Sequence, residues 1–157
     1  MPAIKLKTTF IYLYLSILFI SFVSNAQTVK VVDGDTIHLN GEKIRFSGID
    51  APEMKQTCLR EGYVELCGVI AKELIENKIA HLEVECISEG KDQYQRTLAE
   101  CFVGRESLSR FLVRQGYAFA YRQYSKKYIP DEDFARVNLM GMWNTKFDFP
   151  WDFRKAN

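Results

Sequence analysis

Five charged residues carry the chemistry that this sequence offers. Asp35, Asp50 and Glu53 are carboxylates close to turn-forming residues, and Arg45 and Arg96 are guanidinium groups spaced among or after them. Two carboxylates and a backbone carbonyl form a hard-oxygen donor set, which suits Ca²⁺ better than Zn²⁺. An arginine presents a planar, permanently charged fork that matches phosphate oxygens. A divalent cation, an acid able to accept a proton from water and two such forks together suit phosphodiester hydrolysis, in which negative charge gathers on phosphorus oxygens. None of the pieces is specific alone: Asp33-Gly34-Asp35 is a common turn, and a single strand arginine is usually a solvated charge or surface ion pair.

These residues need elements that bring them together. Val29, Val31, Ile37 and Leu39 alternate along Thr28 to Asn40, a strand pattern interrupted at Asp33-Gly34-Asp35 by a bend or bulge. Asn40-Gly41 predicts a tight hairpin, after which Lys43 to Ile49 returns as a strand and Ala51-Pro52 ends it. Asp35 lies five residues before Asn40, and Asp50 nine after Gly41, so the two are not directly opposite. A bulge and a barrel corner would bring them together. His38 alternates to the other side of the strand from Asp35.

Beyond this block, Leu66, Ile70 and Leu74 predict a helix over 61–77. Strands follow over 79–87 and 97–103, with a turn over 90–94. Ser107 to Gln115 reads as a short helix stopped by Gly116, and Pro130-Asp131-Glu132-Asp133 as the start of another, running to about Met142. Trp143 to Asn157 is aromatic and irregular. The expected architecture is α+β, mainly β: a five-stranded antiparallel barrel of OB type with three helices.

Composition bounds the rest. The chain has 157 residues, 47% hydrophobic and 26% charged, with a formal net charge of +1, which excludes a disordered chain and a strongly basic nucleic-acid coat. Lys5 and Lys7, the apolar run Phe10 to Val23 and Ser24-Asn25-Ala26 have the order of a cleaved export signal over residues 1–26. The 14-residue run falls short of the ~20 needed to span a bilayer. Removing 1–26 leaves 19 basic against 20 acidic residues, a net charge of −1. In an exported chain Cys58, Cys67, Cys86 and Cys101 are expected to form two disulfides. Three pairings are possible, and Cys58–Cys67 with Cys86–Cys101 is favoured. The first closes a ten-residue loop, and the second would staple two strands of one hairpin. No Cys-x-x-Cys spacing supports zinc.

The ordered blocks Val32-Asp33-Gly34-Asp35-Thr36, Arg45, Gly48-Ile49-Asp50-Ala51-Pro52-Glu53 and Asp92-Gln93-Tyr94-Gln95-Arg96 resemble the thermonuclease (staphylococcal nuclease-like) family. Leu112-Val113-Arg114-Gln115-Gly116, Ala120-Tyr121 and Gly141-Met142-Trp143 extend the likeness to about residues 28–145 of a domain spanning 27–157. The resemblance implies an OB-type barrel and Ca²⁺-dependent cleavage of DNA and RNA; the export signal makes the expected enzyme secreted or periplasmic. Asp35, Asp50 and the carbonyl of Ala51 match the metal ligands. Glu53 matches the general base, and Arg45 and Arg96 match the phosphate-binding pair. Tyr94 and Tyr121 match the positions lining the nucleotide pocket, where a ring face stacks on a base. The expected protein is a monomer without stable membrane association once its signal is cleaved. The sequence departs from the family at Gln95, where a small residue is usual, at Gln93, often basic, and in its near-neutral charge, which predicts a shallow salt dependence of DNA binding. The competing class is a nuclease-like module that binds without cutting; its signature would be loss of the carboxylates or arginines, and all five are present.

Overall fold

A computed structural model describes residues 26–156; the expected export signal over 1–26 lies outside them except for Ala26. The fold is α+β and OB-like. Five strands form the main path: β1 (Val29–Asp33), β2 (Thr36–Leu39), β3 (Glu42–Phe46), β7 (Val84–Lys91) and β8 (Thr97–Val103), in spatial order β1-β2-β3-β8-β7. Short β4 (Ile49–Asp50), β5 (Thr57–Arg60), β6 (Tyr63–Leu66), β9 (Glu106–Ser107) and β10 (Phe119–Ala120) complete the sheets. Among the described residues there are four α-helices where three were expected: α1 (Cys67–Ile79), α2 (Leu108–Arg114), α3 (Ile129–Val137) and α4 (Pro150–Ala156), with a 3₁₀ turn at Gly141–Asn144. Among the described residues no helix is long and apolar enough to cross a membrane.

Local chemistry explains most of these elements. Asn40 and Gly41 both hold positive φ, 51° and 87°, and pair Leu39 with Glu42 across a two-residue turn, the conformation that matches strand twist. Asp33-Gly34-Asp35 is a full reversal rather than a bend within one strand: β1 and β2 pair antiparallel on either side of it, with Asp33 opposite Thr36. Ser107 caps α2 by accepting from the Arg110 N–H. Gly116 follows at φ 75°.

Several expectations change: the third helix ends at Val137 rather than near Met142, and the strand expected over 79–87 runs Val84–Lys91. The sheet is not wholly antiparallel, because β3 and β8 run parallel, with Arg45 beside Leu98. The helix expected over 61–77 begins only at Cys67; Glu61 and Gly62, at φ 49° and 89°, turn a separate hairpin of β5 on β6. Leu66, which fits the helical repeat, is therefore a half-exposed strand residue. The C-terminal stretch is ordered, with α4 starting at Pro150, where a missing N–H costs nothing.

The expected barrel is an open sheet here, with no β1–β7 ladder among the described residues, and its main core is formed by Val31, Ile37, Ile44, Phe46, Ile49, Ala71, Ile75 and Leu112. A side-chain amide closes the seam between the first and last strands of the path: Gln27 Nε2 donates to the Val84 carbonyl at 2.7 Å, and its Oε1 accepts from Val84 N–H at 2.8 Å. A second cluster gathers Cys58, Cys67, Phe119 and Met142 beneath Trp143, Phe147, Phe149 and Trp151. Phe119 lies 5.0–5.4 Å, centroid to centroid, from Phe149, Phe147 and Trp143, and Phe149 stacks on Trp151 at 4.7 Å. Disulfides join Cys58 to Cys67 and Cys86 to Cys101, the favoured pairing.

Candidate active site

The β1–β2 turn places Asp35 against the β4 segment. A Cβ on Gly34 would lie 2.8 Å from the Cβ atoms of both Ala51 and Ala71, so only glycine lets this turn approach so closely. Asp33 steadies the turn by accepting from Asp35 N–H at 3.1 Å. Asp35 is buried. Its Oδ2 accepts from Ala51 N–H at 2.8 Å, while Oδ1 accepts from Thr36 Oγ1 at 3.1 Å and from Arg45 Nη1 at 2.5 Å. Arg45, on β3 opposite Thr36, reaches with Nη2 to Asp50 Oδ1 at 2.9 Å. One guanidinium thus bridges two buried carboxylates. Asp50 is held by β4, which pairs with β10 so that Asp50 faces Phe119 in register.

The electrostatics follow from this burial. Desolvation pushes the Asp35 carboxyl up to about 7 against the pull of Arg45. Burial opposes the charge on Arg45, but Asp35 and then Asp50 outweigh it and raise its pKa above the ordinary value.

Glu53 stands at the rim, its side chain 44% exposed. Its backbone is clamped by Gln56, which is fully buried: Gln56 N–H donates to the Glu53 carbonyl at 2.7 Å, and Oε1 accepts from Glu53 N–H at 3.3 Å. Gln56 Nε2 then reaches the Asp148 carbonyl at 2.5 Å. The start of α1 presses on the same loop at Gly68, where a Cβ would meet the Glu53 carbonyl oxygen at 1.9 Å.

Arg45, Glu53, Arg96, Tyr94 and Tyr121 all line one cleft of about 760 Å³; Asp35 and Asp50 sit behind Arg45. Arg96 is oriented by Asp92, which accepts from its Nε at 2.6 Å and its N–H at 2.9 Å, and its Cζ lies 5.6 Å from the Tyr94 ring centroid. Gln95 holds φ 63°, a left-handed conformation that glycine adopts at less cost. Tyr94 is 72% exposed, and Tyr121 meets Tyr124 edge-on at 4.7 Å.

Sequence reasoning missed Arg154. It projects from α4 into the same cleft. Nη2 donates to Asp50 Oδ2 at 2.6 Å, and Nη1 to Asp50 Oδ1 at 3.2 Å and to Glu53 Oε1 at 2.8 Å. Burial works against its charge, but the bonds to Asp50 and Glu53 outweigh that and raise its pKa. Gln56 and Gly68 were also missed. Pro150 at a helix start, Asp152 in the first turn and Arg154 in the last are signals that could have revealed α4.

The donor chemistry fits a hard divalent cation. Asp35 and Asp50 are buried oxygen donors already sharing one cationic partner. Among the described residues the one close group of three potential metal-ligand side chains is Cys58, Glu65 and Cys67, whose sulfurs are bonded to each other.

Comparison with known proteins gives the chain a family. A family model described as staphylococcal nuclease homologue matches residues 43–145. An uncharacterized endonuclease of Haemophilus influenzae is 31% identical over 127 residues, covering 76% of this chain and 66% of that protein. A thermonuclease of Staphylococcus intermedius is 32% identical over 113 residues, covering 69% and 62%. The succinoglycan biosynthesis protein ExoI of Rhizobium meliloti is 31% identical over 121 residues, covering 74% and 63%. The chain spans just under two thirds of the length of these relatives. With its OB-like sheet and its two buried aspartates bridged by an arginine at the back of a cleft, this is a nuclease-type α+β domain. The chain belongs to the staphylococcal nuclease family.

Proposed function

We propose that this protein is a calcium-dependent endonuclease that hydrolyses phosphodiester bonds of DNA and RNA. The observation that carries the reading is the convergence of Asp35, Arg45 and Asp50 behind a cleft that Glu53, Arg96, Tyr94 and Tyr121 also line. Asp35, Asp50 and the Ala51 carbonyl would hold the ion, which when bound polarises the phosphoryl group and lowers the cost of charge on its oxygens. Glu53, half-exposed at the rim, accepts the proton of the attacking water. Arg45 and Arg96 stabilise the charge that develops on phosphorus oxygens. Tyr94 and Tyr121 offer ring faces for bases, a contact tolerant of sequence.

We further propose that the chain is exported by its N-terminal signal and acts as a monomer outside the cytoplasm. The two disulfides fit an oxidising compartment.

The test is cleavage of single- and double-stranded DNA and of RNA, with Ca²⁺ and with chelator. Cleavage lost in chelator and restored by Ca²⁺ is expected. Cleavage that persists in chelator would remove the metal from the mechanism, and no cleavage under any condition would leave a binding module. N-terminal sequencing of the exported protein should begin at Gln27.

A further inference from the structure

We propose that Arg154 is a third phosphate-binding residue of the cleft, whose fork passes from Asp50 to the substrate phosphate when Asp50 ligates the cation. The inference rests on the nuclease reading of the same cleft. It adds a residue from α4, outside the 43–145 segment that matches the family.

The geometry is that of an exchangeable partner. Arg154 covers both oxygens of Asp50, at 2.6 and 3.2 Å, and also holds Glu53 at 2.8 Å. Asp50 Oδ1 further accepts from Arg45. An oxygen engaged by two guanidinium groups has little capacity left for a cation, so Asp50 gives up a partner in order to ligate one. Arg45 is the less free of the two: it lies on a central strand, its side chain is 16% exposed, and it also holds Asp35. The Arg154 side chain is 39% exposed at the cleft, so it is the partner that yields.

Arg154 does not leave the cleft when it yields. Its helix is fixed by Trp151 stacked on Phe149, which packs on Phe119. The segment leading into α4 is tied to the Glu53 loop by Gln56. Released from Asp50, the fork therefore remains beside Glu53, where a scissile phosphate must lie for a water activated there to attack it.

Charge balance favours the same exchange. With Asp35 ionised, as cation ligation requires, the ion-paired groups are three carboxylates, Asp35, Asp50 and Glu53, against two guanidinium groups, Arg45 and Arg154, leaving one excess negative charge. A divalent cation reverses this to one excess positive charge, the complement of a phosphodiester monoanion. Without Arg154 the loaded cluster carries one positive charge fewer and draws an anion less strongly.

Two binding measurements on the mature protein test this without relying on turnover. The first is calorimetric titration with Ca²⁺ alone. The second is binding of a phosphorothioate-linked thymidine pentanucleotide, which resists cleavage, to the Ca²⁺-loaded protein across a salt series. Arg154→Ala should bind Ca²⁺ about fivefold or more tightly, because a competitor is gone. It should bind the pentanucleotide more weakly, with a log–log salt slope shallower by about 0.7, the share of one phosphate contact on a single strand. Arg154→Gln, which keeps the aliphatic stem on the helix, should behave in the same way. Arg154→Lys should recover the salt slope but not the full affinity, since a point charge cannot replace the fork. Unchanged or weaker Ca²⁺ binding in Arg154→Ala and Arg154→Gln, or unchanged pentanucleotide binding, overturns the proposal while leaving the nuclease reading intact. A wild-type protein that neither binds Ca²⁺ nor cleaves nucleic acid overturns both.

Discussion

Replacing Gly68 by alanine tests whether close backbone contact sets the position of Glu53. A Cβ at Gly68 would lie 1.9 Å from the Glu53 carbonyl oxygen, 2.5 Å from its carbonyl carbon and 2.7 Å from the Cα of Met54. Ordinary contact begins near 3.4 Å, so helix and loop must separate by about 1.5 Å along that line. The atoms it meets are backbone and cannot rotate away. Retreat is resisted on both sides, by the Gln56 clamp on Glu53 and by the Cys58–Cys67 disulfide beside Gly68. Overpacking of this kind costs about 1–3 kcal/mol of stability. A displacement of about 1 Å at a reacting group costs on the order of 100-fold in rate. Gly68→Ala should therefore lower kcat/KM on a fluorescent oligonucleotide about 100-fold, while urea denaturation shows a folded protein. Gly41→Ala is the control: nothing lies within 4 Å of its Cβ, and only the left-handed backbone at φ 87° is strained, a cost of about 1–2 kcal/mol. A folded Gly68→Ala with wild-type kcat/KM would refute the reasoning, since the Glu53 loop would then tolerate displacement.

Glu53→Gln keeps shape and removes the base, so turnover should fall by about 100-fold or more with little change in melting temperature; full activity would reassign the proton acceptor. Replacing both Cys58 and Cys67 by serine should lower stability by about 2.7 kcal/mol in the chain-entropy account, read by urea denaturation, and no change would mean that the hairpin is held without its staple. For Asp35 the folded pKa, about 7, exceeds the ordinary 3.8, so the native chain retains a proton that the unfolded chain has lost. That stabilising contribution is fully present below about pH 4 and disappears as pH rises to about 7. Melting of the protein in chelator should accordingly fall across this window, and Asp35→Asn should flatten the decline. Asp92 and Glu100, whose hydrogen-bond donors hold them below ordinary values against the effect of burial, contribute in the opposite sense and at lower pH.

Parts of the fold were legible because local chemistry decides them. Asn40-Gly41 demands a hairpin, and the return strand expected over 97–103 matches β8 at both ends. Cys86 faces Cys101 because both lie in adjacent strands in register. Other parts depend on partners distant in sequence. β4 and β10 are two residues each and show no period of their own; each exists because the other is present. The parallel β3–β8 step joins strands that are not neighbours along the chain. The repeat of Leu66, Ile70 and Leu74 ran past the true start of α1, because nothing in spacing separates a strand residue from one more helical turn; Glu61-Gly62 was the overlooked turn signal. Around the site, Arg45 and the carboxylates stood out by charge and spacing. Arg154 and Gln56 did not, since each acts through a partner about 100 or 92 residues away.

The parallel ladder also governs when the cleft comes into being. Ile44 to Phe46 can dock only on Thr97 to Ala99, Asp50 only on Phe119, and Gln56 on Asp148. These non-local closures are entropically late steps, whereas the β1–β2–β3 meander forms from neighbours. A nascent chain still on the ribosome therefore brings Asp35 and Arg45 together early, while Arg96 and Arg154 are still far from them. Whatever nucleic acid surrounds it during synthesis meets no fully assembled cleft.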